Sequence, residues 1–532
     1  MPMKQLWKKV LAKVIKALRH IPLFAVFDDG RYEKIESLLM ECQPRHLLRH
    51  ASNHFLIPSI IRQTIAMRSN YRMIDLAYIS EDDRSFLSRH ELSVDFIASN
   101  KPGSRTLHGD FQLDAFSAGG VAAICPFSGV LLRASRSILA AEGNPIFYRF
   151  ESREVFYLSV GRPGIGFGKL YLYFPRFQAI VLLRDRCFWH GRGEVDRLRA
   201  HMIACCRDLI PYLQTQQTPV VCALIDSTHF AHHLWNGLTG VDKVLSSGYA
   251  TYVDKLIVSA EPLGPIDRIW SALDCTRIER LQFPELLRQP LVRNWLLIRP
   301  GDNSISEQVV KGVCDVADTL CPAEVKDEAQ RLRQDCWPIL WVTIRTGNRT
   351  WVSQCSGIPD IVNDLRKTFP KIGLIIDGFC TPYDRPAIDH QEQERVIKEE
   401  MACVESIRER LSEGIPLRIN VGKPLHESIL FAMITDCYLA HHGSLQHKIG
   451  WIANCPGVVH SNSDDLRGNF GKHRAVRARE NSVVPEYLDP EAIRDVIGAV
   501  PKSDNRWVEH FSNYDFDYRV ARDTLMCLLR QP

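Results

Sequence analysis

Hydrogen-bond donors crowd a short turn in residues 436–460, which read DCYLAHHGSLQHKIGWIANCPGVVH. The pattern predicts a strand at 438–440 and then a helix at 445–453 that Ser444 would cap. Gly443 allows close approach of the backbone, and a helix N-terminus offers free N–H groups and a positive dipole end. We therefore expect a phosphate site here, with an ordinary solvated strand–helix turn as the alternative. The residues expected around the anion are His441, His442, Gly443, Ser444, Gln446, His447 and Lys448.

A second polar group, DSTHFAHHLWN, follows a predicted strand at 219–226. Histidine titrates near neutral pH, so His229, His232 or His233 can take a proton from an acceptor hydroxyl. His232 is the first choice because it precedes the apolar face of the next helix, and Asp226 or another nearby carboxylate can orient the ring. The alternatives are packing or capping and, since His229 and His233 have helical ligand spacing, zinc. No glutamate completes the metalloprotease pattern, so we expect no metal.

Charged residues follow two other predicted strands. Arg345 ends the strand at 339–345 and precedes a glycine turn, so its guanidinium can clamp a diphosphate. After the strand at 417–422, Lys423 can pair with phosphate and Glu427 can accept hydrogen bonds from ribose hydroxyls. The alternatives are a charged surface turn and, for Glu427, ordinary acidic chemistry of a first helical turn.

Alternating strands and helices must position these loops. Strands are predicted at 219–226, 254–260, 294–300, 339–345, 371–378, 417–422 and 437–440, and helices at 232–245, 265–273, 304–320, 358–370, 394–413 and 425–435. Two successive blocks of this kind predict an α/β protein with two parallel-sheet, Rossmann-like domains facing each other. Because ligands bind beyond the carboxyl ends of parallel strands, we expect the polar loops to meet in the cleft between them.

The chain before these blocks has a different character. The sequence is helical and irregular up to about 120, and β-rich segments follow that predict a meander or a partly antiparallel sheet. A long helix is predicted at 191–214. The glycines of GRPGIG at 161–166 do not predict a dinucleotide loop, because a strand follows where a helix is required.

The first 20 residues form a basic amphipathic pattern. They contain six of the chain's lysines and arginines and no acidic residue, so the rest of the chain is net negative. Apolar residues recur at helical spacing over 3–18, with Trp7 among them, which is typical of a helix lying in an anionic membrane surface. The alternative is a helix docked on the protein itself. Since the positive charge is local, no nucleic-acid partner is expected.

Composition sets the broad class. With 532 residues, 45% hydrophobic and 24% charged, the chain is expected to be globular and to form at least two domains. No signal peptide and no apolar run of about 20 residues is present. The 16 scattered cysteines predict reduced, mostly buried thiols in a cytoplasmic protein.

The stretch GKPLHES…ITDCYLAHHGSLQHKIGWIANCPGVV resembles the donor-binding half of bacterial GT-B glycosyltransferases, where a glycine-containing turn opens the helix facing the nucleotide diphosphate. The stretch AHHLWN resembles a histidine-bearing segment of the first domain of such proteins. The resemblance covers roughly 215–465. The E-x7-E pattern of the retaining enzymes is missing around 436–450, which favours an inverting mechanism or a divergent family.

This resemblance implies transfer of a sugar from a nucleotide-diphosphate sugar to a glycan or lipid-linked acceptor in envelope polysaccharide synthesis, on the inner membrane and without metal or other cofactor. A histidine would be the base, and the helix dipole, Arg345 and Lys448 would stabilise the leaving diphosphate. The alternatives are a non-catalytic assembly protein of this fold and a nucleotide-sugar epimerase. The expected domains are a membrane-surface helix (1–20), a helical or irregular region (21–120), an acceptor domain with a β-rich addition (121–300), a linker (301–335), a donor domain (336–490) and C-terminal helices (491–532).

Overall fold

A computed structural model describes residues 71–102, 110–162, 166–183, 191–270, 273–384, 390–468, 476–496 and 511–530. The predicted membrane-surface helix and most of the predicted N-terminal helical region lie outside the described residues. None of the helices in the described segments is long and apolar enough to cross a bilayer.

The strands, in chain order, are β1 (Arg72–Asp75), β2 (Val121–Ile124), β3 (Leu131–Ala134), β4 (Ser137–Leu139), β5 (Ile146–Phe150), β6 (Phe156–Arg162), β7 (Gly166–Phe174), β8 (Ala179–Leu182), β9 (Val220–Ile225), β10 (Lys255–Val258), β11 (Ile278–Arg280), β12 (Trp295–Ile298), β13 (Ile339–Thr343), β14 (Gly373–Asp377), β15 (Leu417–Ile419), β16 (Cys437–His441), β17 (Gly457–His460), β18 (Glu486–Tyr487), β19 (Arg494–Val496) and β20 (Asn513–Asp515).

The α-helices, also in chain order, are α1 (Glu81–Arg89), α2 (Val94–Ala98), α3 (Phe111–Ala118), α4 (Gly191–Ala204), α5 (Cys206–Gln214), α6 (Phe230–His232), α7 (Thr239–Ser246), α8 (Ile266–Ile269), α9 (Phe283–Val292), α10 (Glu307–Leu320), α11 (Ala323–Asp335), α12 (Gln354–Thr368), α13 (His390–Arg410), α14 (Leu425–Ala432), α15 (Ser444–Ile452), α16 (Ser463–Arg467) and α17 (Tyr518–Arg530). A π-helical turn (His233–Leu238) joins α6 to α7, and 3-10 turns lie at Tyr249–Tyr252, Cys275–Arg277 and Pro490–Ala492.

The chain divides into two compact units. The first comprises Met1–Cys222 and Gln282–Ile298, and the second comprises Ala223–Leu281 and Arg299–Pro532. The domain boundaries expected from the sequence stay a prediction.

The first unit contains a six-stranded sheet with the order β1-β8-β7-β6-β5-β4. β1 runs parallel to β8 and the other pairs are antiparallel, which confirms the predicted partly antiparallel sheet. Alternate residues of β7, Tyr171 and Tyr173, pack in a buried cluster with Val195 and Leu198 of α4. Gly166 pairs with Arg162 across β6 and β7, so Gly161 of β6 and Gly166 of β7 lie in paired antiparallel strands and not before a helix.

A four-stranded sheet has the order β11-β10-β9-β12. The Val220 amide donates to the Asn294 carbonyl at one end of β9 (3.0 Å), and the Ser259 amide donates to the Ile225 carbonyl at the other (2.9 Å). Strand starts and strand ends therefore lie side by side, and the sheet is parallel. The helical segment after β9 is confirmed, although a π-helical turn interrupts it.

The third sheet has the order β15-β14-β13-β16-β17-β18, and all its strands are parallel. Numbered from β13, this is the 3-2-1-4-5-6 order of a dinucleotide-binding Rossmann sheet. Leu340 and Val342 pack with α12, α13 and α17, while Trp341 and Tyr438 face α15 on the other side. Both faces are covered, which explains the continuous apolar runs of these strands. The predicted α/β fold with parallel, Rossmann-like sheets is confirmed.

Several local predictions differ from the structure. The helix predicted at 191–214 is two helices, α4 and α5, separated at Cys205, and the helix predicted at 265–273 is only the short α8. The helix predicted at 304–320 corresponds to α10, and a helix that was not predicted, α11, follows it; both have buried apolar residues. Cys355 of α12 and Cys403 of α13 are paired as a disulfide, so the prediction of uniformly reduced cysteines is wrong for this pair.

Candidate functional site

The strand order of the third sheet places a crevice between β13 and β16. Helices leave these two neighbouring strands on opposite faces of the sheet, and ligands of such sheets bind beyond the strand ends at this point. Thr343 ends β13 and His441 ends β16. The His441 amide donates to Thr343 Oγ1 (2.9 Å), and His441 Nδ1 lies 3.0 Å from the same oxygen. Hydrogen bonds therefore link the ends of β13 and β16 at the floor of the crevice.

The turn from β16 into α15 leaves open space above this floor. Gly443 has a backbone φ of +108°, which residues other than glycine rarely adopt. No atom lies within 4 Å of the position that a Cβ would occupy there. Gly443 is also the N-cap, and no side chain caps the helix. Because His447 is the first residue whose amide bonds back to the Gly443 carbonyl, the amides of the preceding helical residues have no partner within the helix.

Ser444 does not cap α15, contrary to the prediction. It is the first helical residue, and its Oγ lies 3.1 Å from His229 Nε2. Gly443 occupies the cap position instead, so Ser444 follows the cap and its hydroxyl contacts His229. Two residues predicted separately, in loops far apart in sequence, are thus in contact within the second unit.

His442 is held by an acidic residue that follows β17. Its Nδ1 lies 2.7 Å from Asp465 Oδ2, and Ser461 Oγ donates to the same oxygen (2.7 Å). Burial alone raises the pKa of Asp465, but the hydrogen bonds from His442 and Ser461 and the charge of Arg349 outweigh it, so the pKa lies below its usual value. Asp465 is therefore ionised and sets the orientation of the His442 ring.

The histidines that follow β9 approach α15 within the second unit. The ring centroids of His229 and His232 are 5.2 Å apart, and His232 Nδ1 lies 3.1 Å from Asn236 Oδ1. Burial lowers the pKa of His229 to about 4 and lowers that of His232. His233 is fully buried, and burial lowers its pKa to about 4. Both His229 and His232 are thus neutral at pH 7 and able to accept a proton.

Two residues expected at the anion face the interior instead. Lys448 Nζ lies 2.6 Å from Asp377 Oδ2 and donates to Cys380 Sγ at 3.3 Å. Gln446 is 1% exposed, and its amide lies 3.4 Å from the Tyr438 hydroxyl. Both side chains therefore secure α15 to the sheet.

Four other expected residues have partners of their own or are exposed. Arg345 donates from Nε to the Asn348 carbonyl (2.8 Å), and Glu427 forms an ion pair with Arg418 (2.5 Å). Lys423 is exposed, in the loop after β15. Asp226 forms a buried ion pair with Arg299 and is not the partner of a histidine among the contacts of the described residues.

Sequence reasoning missed Thr343 and Asp465. Both lie at or just beyond the carboxyl end of a parallel strand, which is the signal that identified the other loops. Asp465 was overlooked because it belongs to a run of polar residues, SNSDD, at 461–465. Asn462 of this run caps α16 by accepting a hydrogen bond from the Asp465 amide (2.9 Å). Within the described segments, no group of three or more His, Cys, Asp or Glu is arranged to hold a metal ion.

Neither a protein-family model nor a curated protein sequence matches this chain. Among solved structures it is similar to the glycosyl transferase family 9 protein of Veillonella parvula DSM 2008, with 8% identity and a TM-score of 0.27 over 45% of this chain and 79% of that one. It is also similar to S. aureus MnaA solved with UDP, with 13% identity and a TM-score of 0.20 over 49% of this chain and 63% of that one, which is less than two thirds of MnaA. A GtfA/B complex matches with 10% identity and a TM-score of 0.19 over 75% of each chain. TM-scores this low carry no argument about activity, and the architecture rests on the strand order of the sheets.

Proposed function

We propose that this chain is a glycosyltransferase of the GT-B type. It transfers a sugar from a nucleotide-diphosphate sugar to a glycan or lipid-linked acceptor in bacterial envelope polysaccharide synthesis, by an inverting mechanism without metal. The contact between His229 Nε2 and Ser444 Oγ carries the proposal. It brings a neutral imidazole from one parallel sheet against the open helix N-terminus of another.

The donor half of the proposed site is the turn after β16. The diphosphate would be bound by the free amides at the start of α15, by Ser444 Oγ and by His442, whose ring is fixed on Asp465. Arg345 would leave Asn348 to reach the phosphates, and Lys423 and Glu427 would contact the nucleotide from the loop after β15. Lys448 would act through the helix that it secures.

The acceptor half is the loop after β9. In an inverting transfer, the acceptor hydroxyl loses its proton as it attacks the sugar, and the leaving diphosphate gains negative charge. His229 or His232 would take that proton, since both rings are neutral at pH 7. Asp226 would support the loop through Arg299. The basic segment 1–20 would hold the enzyme at an anionic membrane surface on the cytoplasmic side.

The test is release of nucleoside diphosphate from a panel of UDP- and GDP-sugars, with lipid-linked acceptors present. Release in wild type, together with weaker binding of the released diphosphate to Ser444→Ala by about 1 kcal/mol in calorimetry, supports the proposal. Ser356→Ala, which removes a hydroxyl from α12, is the matched control and should bind as wild type does. Binding without release would make the chain a non-catalytic binding protein, and interconversion of the sugar without transfer would make it an epimerase.

A further inference from the structure

Four histidine rings surround the start of α15. His229 Nε2 lies 3.1 Å from Ser444 Oγ, and the His229 ring is 5.2 Å from that of His232. On the helix side, the His442 and His447 rings are 6.0 Å apart. We name this group the histidine cluster.

Two fixed cations near the cluster have acidic partners. Lys448 is bound to Asp377 beneath the helix, and Arg349 Nη1 lies 3.8 Å from Asp465. Besides the helix amides and Arg345, which would move to the phosphates in the proposed function, the imidazoles are then the groups that can offer positive charge to an anion. An imidazole carries charge only when it has taken up a proton.

The surroundings of the cluster favour the neutral form in the absence of an anion. His447 stacks on Trp451 (4.7 Å), and its Nδ1 is buried without a hydrogen-bond partner among the described residues. Burial first, and then the neighbouring His442, His232 and His229, lower the pKa of His447 to about 3.

Charged and titratable groups face the cluster from each neighbouring element. They are Asp465 of α16 beside His442, Tyr487 of β18 at 6.3 Å from the His442 ring, Lys448 with Asp377 beneath α15, and Arg479 with Glu307 of α10, where Arg479 donates to the Trp451 carbonyl. Within the described segments, Asp465 is the only acidic residue in contact with a ring of the cluster, and it is hydrogen-bonded to His442. The other three rings therefore lack a counter-charge until a ligand supplies one.

We propose that His447 of the histidine cluster takes up a proton together with the anionic ligand, so that the site binds phosphate-bearing molecules through an imidazolium charge that exists only in the complex. This inference rests on the proposed function, because it concerns the same anion site. An anion beside a buried imidazole offsets the loss of solvation that otherwise keeps the ring neutral. The ring pKa then rises on binding, and by linkage the affinity for the anion must rise as the pH falls.

The sign and size follow from the number of protons taken up. With one proton bound per anion, affinity increases about tenfold for each pH unit of acidification between the pKa of the complex and that of the free ring. With one proton taken up over this whole interval, we expect a dissociation constant about thirtyfold lower at pH 6.0 than at pH 7.5. A site built from amides and fixed cations would show no such change.

The experiment uses the full chain and sulfate, a dianion that holds no proton in this range. Its dissociation constant is measured at pH 7.5 and 6.0 at constant ionic strength, by following histidine ring signals in NMR spectra. His447→Gln should lose at least half of the pH effect on sulfate affinity, whereas His426→Gln, on α14 outside the cluster, should keep it.

Equal sulfate affinity at both pH values, or no binding of sulfate, would overturn the inference. Wild type alone decides this, so a poorly folded variant does not leave the question open. Sulfate binding requires no turnover. A pH-dependent sulfate affinity without release of nucleoside diphosphate would therefore uphold the proton uptake and reject the glycosyltransferase proposal. Release of nucleoside diphosphate with a sulfate affinity that does not change with pH would reject the proton uptake and leave the glycosyltransferase proposal standing.

Discussion

Lys448 Nζ donates to Asp377 Oδ1 at 2.8 Å, so a buried ion pair ties the middle of α15 to the end of β14. The lysine and aspartate side chains are 3% and 0% exposed. Ser428 Oγ donates to the same aspartate oxygen (2.8 Å). The anion site of the proposed function thus lies at the N-terminus of a helix that this buried ion pair holds against the sheet.

Removing this lysine should destabilise the protein. Lys448→Met leaves Asp377 as a buried, uncompensated charge, and breaking a buried pair in this way costs about 3–5 kcal/mol. Urea unfolding followed by circular dichroism measures the loss. Lys423→Met, at an exposed lysine in the same unit, should change stability by no more than about 0.5 kcal/mol. If the two variants unfold at the same urea concentration, the ion pair does not hold the helix.

The role of Lys448 shows where sequence reasoning reaches its limit. Ser444 and Lys448 were both expected at the anion, because both are hydrogen-bond donors close in sequence to the glycine turn. The long lysine side chain instead turns beneath the helix to a partner 71 residues earlier in the chain. Periodicity identifies a helix and its faces, but a partner contributed by another strand depends on the order of strands in the sheet.

Strand order itself could be predicted only in part. The alternation of apolar runs and helical patterns correctly indicated parallel sheets, because buried strands in such sheets lack polar alternation. It did not indicate that β13 lies between β14 and β16, which is what brings Thr343 to His441. The contact of His229 with Ser444 could not be predicted from the sequence either, because each of the two loops was identified only from its own residues.

Acid should weaken the fold through its buried histidines. Burial lowers the pKa of His233 to about 4 and that of His460 to about 3, whereas unfolded histidine titrates near 6.5. Below that value the unfolded chain binds more protons than the folded one, so stability falls as the pH falls towards 4. Each such histidine contributes a slope of about 1.4 kcal/mol per pH unit.

The comparison of urea midpoints at pH 7.5 and 5.0 tests this. His233→Leu should reduce the difference between the two pH values, because one proton-linked group is removed. Leu234→Ala, at a neighbouring buried residue, should lower both midpoints equally. An unchanged pH difference in His233→Leu would show that the His233 ring does not stay neutral in the folded protein.

Membrane attachment depends on the N-terminal segment in the proposed function. The six basic residues of 1–20 would each contribute about 1 kcal/mol near an anionic leaflet before screening by salt. Deletion of 1–20 should therefore move the protein from sedimented anionic liposomes to the supernatant and leave its unfolding midpoint unchanged. Continued sedimentation of the shortened chain at physiological salt would place the attachment elsewhere.

The identity of the general base is the sharpest question about turnover. A positioned base accelerates proton transfer by about 10²–10⁴. His229→Ala or His232→Ala should reduce turnover by that factor while donor affinity stays within a few-fold, because the donor is bound mainly by the turn after β16. His233→Ala is the internal control, since its fully buried ring cannot reach an acceptor. Loss of turnover only in His233→Ala would contradict the assignment of the base to His229 or His232. If none of the three variants is slowed more than about tenfold, the histidine mechanism is wrong. A carboxylate such as Asp226 then becomes the candidate base, and it would first have to separate from Arg299, with which it forms an ion pair.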